Sequence, residues 1–253
     1  MKNMMRKTLL LGAACSVAAA IVLQLAVPAW SQEPDVAACE DGEIATNVIR
    51  ACSTLIALPQ ADEKVRGHFL TIRGNAWMKE QEADAAITDY SQAIKIEPKN
   101  DVAIEGRARA QTFEGHHDLA AADWGSLIGL HPERHDFYLH RGTSLVAAKK
   151  PGEALADFSK TIELEPKSAA AYVGRAKAYD QQNDREKALG EFNLALKVDP
   201  NYIPAYIAKA EAAERWGDVP MAVESLATAL RLNGMNLRVR QELQRLGVYT
   251  PSN

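Results

Sequence analysis

The chain repeats itself every 34 residues, five times in phase and without an insertion, from Gly67 to Asn236. Pro98, Pro132, Pro166 and Pro200 follow one another at that step, and Gly234 takes the next one. Counting units from Gly67, Asp101, His135, Ala169 and Ile203, the twentieth residue is always alanine: Ala86, Ala120, Ala154, Ala188 and Ala222. Four places on stands Tyr90, Trp124, Phe158, Phe192 or Leu226. The fourth place holds Leu70, Ile104, Tyr138, Tyr172 or Tyr206, and the eighth is small: Gly74, Ala108, Gly142, Ala176 and Ala210. A unit of this length holds one helical hairpin and cannot bury its own apolar face. Each must stack on the next, and the expected fold is an all-α solenoid.

Helices are expected over 67–80, 83–96, 101–113, 117–130, 135–148, 151–164, 169–182, 185–198, 203–216 and 219–232. Gly115, Asn183-Asp184 and Gly217-Asp218 fall between the helices of their units, and Pro151 and Pro220 stand where a second helix begins, where a missing N–H is harmless. The units resemble tetratricopeptide repeats, with the family's succession of a large residue, small residues, an aromatic and a closing proline. Small residues at the eighth and twentieth places let two helices approach, and the aromatic fills the gap that is left. Gln111, Leu145 and Ala213 depart from the family's aromatic, and Leu127 and Thr161 from its small residue. The resemblance implies a right-handed superhelix that binds a protein or peptide and is not an enzyme.

The ends differ from the array. Lys2, Arg6 and Lys7 precede an uncharged apolar run from Leu9 to Val27, and Ala29-Trp30-Ser31 offers a cleavage site. Residues 1–31 therefore read as a signal peptide, although the run is long enough for a retained inner-membrane anchor. Leu11-Gly12-Ala13-Ala14-Cys15 offers a lipidation cysteine, but the apolar run continues beyond it. Cys39 and Cys52 remain after cleavage, an even pair that suits an oxidising compartment, periplasmic or extracellular. The repeat frame carried upstream from Glu33 puts them at the seventh and twentieth places, on facing helices. Residues 32–66 then form a degenerate hairpin cap stapled by a disulfide, the alternative being two free buried thiols. A similar Cys-containing stretch ahead of the repeats is found in exported proteins of the same family. Residues 237–253 supply an amphipathic capping helix through Leu237, Val239, Leu243 and Leu246, stopped by Gly247.

The chain has 29 basic and 33 acidic residues; without Lys2, Arg6 and Lys7 the balance is 26 minus 33, or -7. An acidic body argues against nucleic acid as partner. A charge ladder runs through the units: Arg73, Arg107, Arg141, Arg175 and Lys209 at the seventh place, and Asp89, Asp123, Asp157, Glu191 and then Ser225 at the twenty-third. Matched signs at one spacing point to structural ion pairs, within or between hairpins. His116, His117, His131, His135 and His140 form no recognised ligand motif, and no nucleophile or phosphate loop is present, so neither metal, cofactor nor catalysis is expected.

By the resemblance, the partner lies along the concave face of the first helices. That face would present Asn75, Lys79, Glu105, Arg109, Phe113, His140, Thr143, Lys177 and Asp180, with Phe113 as anchor and Gly106 and Gly174 leaving room for the partner. Of the lysines, asparagines and arginine with which chaperone-binding members grip a terminal carboxylate, only Asn75 is matched. The function expected is a protein-binding scaffold in the cell envelope, with a membrane-anchored assembly factor as the alternative.

Overall fold

A computed structural model describes residues 34–59 and 61–248. The expected signal segment, its alternatives as an anchor or lipidation signal, and the last five residues lie outside the described residues. Among the described residues thirteen helices follow one another. A short pair comes first, α1 (Pro34–Glu40) and α2 (Ala45–Ile56). Five hairpins follow: α3 (Glu63–Lys79) with α4 (Ala83–Ile96), α5 (Asp101–Phe113) with α6 (His117–Leu130), α7 (His135–Ala147) with α8 (Pro151–Leu164), α9 (Ala169–Gln181) with α10 (Arg185–Val198), and α11 (Ile203–Arg215) with α12 (Val219–Leu232). A single helix, α13 (Leu237–Arg245), ends the array. The fold is the expected all-α solenoid of stacked hairpins.

Each hairpin turn is made in one way. The fifteenth residue of every unit, Gln81, Gly115, Lys149, Asn183 or Gly217, takes φ between +60° and +77°. In the first unit Gln81 N donates to Met78 O at 3.2 Å and Glu82 N to Trp77 O at 2.9 Å, so two orphan carbonyls at the helix end are satisfied, and the same two bonds recur in all five turns. Gly247 closes α13 through equivalent bonds. Asp184 and Asp218 cap the second helices at these turns, and at the other end of the hairpins Asn100, Ser168 and Asn236 cap the helices that follow them.

The core is a column of aromatic and small residues between successive hairpins. The five twentieth-place alanines are fully buried, and Tyr90, Trp124, Phe158, Phe192 and Leu226 are at most 2% exposed. Successive first helices touch at α1 and α3, α3 and α5, α7 and α9, and α9 and α11, while no pair of successive second helices packs as closely. The array therefore curves with its first helices inside. Contact as close as this is missing between α5 and α7.

Three boundaries differ from the sequence reading. Helix α3 starts at Glu63, capped by the Asp62 side chain on Lys64 N, so residue 67 lies inside a helix and not at a domain edge. In α13, Val239 and Leu243 are buried but Leu237 is 66% exposed, because 239, 243 and 246 form one helical stripe and 237 lies off it. The third concerns the cap. Cys39 and Cys52 are buried and joined, with Cα atoms 5.0 Å apart. The neighbouring Ser53 accepts from Arg73 exactly as Ser91 does from Arg107, but from twenty residues upstream instead of sixteen. Four extra residues between Ser53 and Arg73 thus shift the frame, and Cys52 occupies the twenty-fourth place, that of the core aromatic, and not the twentieth.

Candidate functional site

Behind the first-helix face stands the charge ladder. Arg73 donates to both carboxylate oxygens of Asp89 at 2.7 Å, Arg107 to Asp123 at 2.7 and 2.8 Å, and Arg141 to Asp157 at 2.6 and 2.8 Å. Arg175 reaches both oxygens of Glu191 at 2.9 Å. These pairs lie within one hairpin, with the acid on the second helix. Nη1 of the arginine reaches back to the preceding hairpin, from Arg73 to Ser53, from Arg107 to Ser91 and from Arg175 to Ser159. Lys209 meets no acid and bonds Asn193 instead. The ladder takes up both alternatives: four hairpins are closed by their own ion pair, and Arg73, Arg107 and Arg175 also bond the hairpin before.

The residues expected to meet a partner are not equivalent. The Tyr90 hydroxyl donates to Asn75 Oδ1 at 2.7 Å, so this amide serves the core aromatic beside it. Burial pushes the Tyr90 phenol far above its usual range, with Asp89 adding to the effect, and the hydroxyl stays protonated to make that bond. Gly106 and Gly174 leave no room for a ligand. A Cβ on Gly106 would lie 2.5 Å from the Tyr90 ring, and one on Gly174 2.3 Å from the Phe158 ring, so their space is filled from within. His140, at the same place of its unit, stacks on Trp124 with centroids 4.6 Å apart. Burial holds its pKa below the ordinary value, with Arg109 adding to the shift and Asp136 and Glu105 opposing it. Arg109 is engaged by Glu105 at 2.6 Å one turn away, and Phe113 is 60% exposed, a lone ring on the surface.

A half-open pocket lies further along. It has a volume of about 560 Å³ and opens between the ends of α7, α9 and α11. Lys177 stands in it, exposed, while Asp180 forms its floor with the side chain 7% exposed. Asp180 accepts from Arg215 Nε at 3.0 Å and from Trp216 Nε1 at 2.7 Å, which ties α9 to α11 and leaves the cation of Lys177 uncancelled. Gln181 completes the lining. Its Nε2 donates to Val146 O at 2.9 Å, which fixes the amide and leaves Oε1 buried with no donor. Arg215 lies on the expected groove face, whereas Gln181 and Trp216 are not among the expected residues; the missing signal is their place at the helix ends, where neighbouring units converge. Lys79 and Thr143 are exposed and lie outside the pocket.

Among the described residues no group of three or more His, Cys, Asp and Glu side chains is gathered for a metal ion, and no helix is long and apolar enough to cross a membrane. His131 meets Asp101 at 2.5 Å, a contact between unit junction and helix start.

Models of the tetratricopeptide repeat match residues 106–164 and 145–213. The small glutamine-rich tetratricopeptide repeat-containing protein 2 of Saccharomyces cerevisiae is 31% identical over 93 residues, covering 37% of this chain and 27% of that protein. The chain thus spans about a quarter of that relative's length. A tetratricopeptide repeat protein from Parabacteroides merdae superposes with a TM-score of 0.68 at 20% identity, over 85% of this chain and 87% of that one. YrrB, a repeat protein with an unusual peptide-binding site, superposes with a TM-score of 0.53 at 17% identity, over 78% of this chain and 99% of its own.

Proposed function

Since the chain is a tetratricopeptide-repeat protein, we propose that it is a protein-interaction scaffold that takes a peptide segment of its partner in the pocket between α7, α9 and α11. One observation carries this reading: in a pocket of about 560 Å³ Lys177 stands exposed, while the floor carboxylate, Asp180, is already taken by Arg215 and Trp216. The Trp216 ring offers apolar area to an extended peptide beside it. Lys177 and Lys149 bias the pocket toward an acidic side chain. The peptide-binding site of YrrB, on a like fold, supports the general mode. No catalytic role is proposed.

The proposed place is the cell envelope, after export and removal of residues 1–31. The charge and apolarity of that segment support it, as does a buried cysteine pair joined in the cap. A photo-crosslinking residue at Lys177 should capture a defined partner that one at Glu186, on the outer helix α10, does not. Identical capture from both positions would overturn groove binding. N-terminal sequencing of the mature protein should begin at Gln32; retention of residues 9–27 would favour the anchored assembly factor instead.

A further inference from the structure

One rung of the ladder is incomplete. Sixteen residues before each later base stands a side-chain acceptor on the preceding hairpin: Ser91 for Arg107, Ser159 for Arg175 and Asn193 for Lys209. Sixteen before Arg141 stands Gly125. Arg141 spends Nε and Nη2 on Asp157, and its Nη1 has no protein acceptor among the described residues. Packing does not demand this glycine. A Cβ would lie 3.5 Å from Nη1, an ordinary contact, and the position lies inside α6, where glycine costs about 0.5–1 kcal/mol relative to alanine.

Gly125 lines a pocket of about 530 Å³ between α6, α7 and α8 that shares no residue with the groove pocket. Ala121 and Leu145 give it apolar walls, and Asp118, Lys150 and Glu153 line it with Asp157. Lys150 is held by Asp118 at 2.9 Å. Three acids against two bases leave the pocket at -1, which disfavours a carboxylate or phosphate on Arg141. The acceptor must be neutral, and it gains if it also donates to an acid nearby.

We propose that this pocket is a second binding site, for the primary carboxamide of an asparagine or glutamine side chain presented by a partner. The carboxamide oxygen accepts from Arg141 Nη1, as the Asn193 amide oxygen accepts from Lys209. Its NH₂ donates to the Glu153 carboxylate, and its methylene stem lies against Ala121 and Leu145. The site is independent of the groove and would give the scaffold a second point of contact.

The test uses the full chain, ¹⁵N-labelled, titrated with N-acetyl-glutamine methylamide and with its glutamate counterpart. Saturable shifts are expected at the Gly125 amide and the Arg141 Nε, with the glutamate compound at least fivefold weaker. Gly125→Ser restores the hydroxyl of the other rungs and should weaken binding at least tenfold, while circular dichroism and the Lys177 resonance stay unchanged. Absence of saturable shifts in the wild type, equal binding of glutamate, or undiminished binding by a folded Gly125→Ser would each overturn the proposal.

Discussion

The His140 ring lies on the Trp124 indole at 4.6 Å and 21°, at the one junction where first helices do not meet closely. Between the other repeat units the same sixth place is Gly106, Gly174 or Ala208. The stacked pair acts as a spacer between α5 and α7.

The histidine should therefore make stability depend on pH. Its folded pKa is lowered, first by burial and then by Arg109, so the unfolded chain takes up a proton before the folded one does. The stabilisation is complete above the unfolded value, about 6.5, and is lost as pH falls from there toward the lower folded value. Urea unfolding of His140→Phe should show a flatter pH dependence below pH 6.5 than the wild type. Parallel curves would refute a buried neutral ring.

Gly106→Ala and Gly174→Ala should each destabilise the isolated protein by about 1–3 kcal/mol, because the new methyl meets the Tyr90 or Phe158 ring. Were these glycines there to admit a partner, the free protein would be unchanged or slightly stabilised through better helix propensity. Denaturation midpoints without any ligand decide between the two.

Removing one member of a ladder pair should cost far more than removing both. Asp123 is 6% exposed, and Asp123→Ala leaves Arg107 half-buried without its carboxylate, at a cost of about 3 kcal/mol. The double variant Arg107→Met/Asp123→Leu should recover most of that loss. At the last rung Lys209 has no acid, and Lys209→Met should change stability by less than about 0.5 kcal/mol. A double-mutant cycle in urea measures all three.

Gln81 holds φ at +64° without being glycine. Gln81→Gly should raise stability by about 0.5–1 kcal/mol, since relief of the left-handed strain exceeds the added freedom of the unfolded chain. Gly115→Ala, at the equivalent turn with φ at +77°, should move stability the opposite way.

Helix order and the ladder were legible because a period of 34 fixes which residues share a place in every unit. The roles of single small residues were not. Glycine at the sixth place leaves space, and the sequence does not say whether a partner or the preceding unit's own ring enters it. Tyr90 and Phe158 enter. Phe113 looked like an anchor by residue type, yet the pocket formed where Asp180 draws Arg215 and Trp216 across from the next unit, a contact spanning 35 and 36 residues. The cap frame is not legible in the sequence because the stretch from Ser53 to Arg73 is four residues longer than the period allows, which the bond between them reveals.

The two unlike ends give the array a direction. Cys39 and Cys52 close the first pair of helices covalently, whereas α13 holds on by Val239, Leu243 and ion pairs from Arg238 to Glu211 and Arg245 to Glu214. In a chain whose units lean only on their neighbours, loss of order spreads from the weaker end. Amide exchange should accordingly be fastest in α13 and slow progressively toward α3, and a protease should trim the molecule from its carboxyl end in hairpin-sized steps. The groove pocket, bounded by α11, lies one hairpin from that end, so its shape is governed by how firmly the last helix is seated.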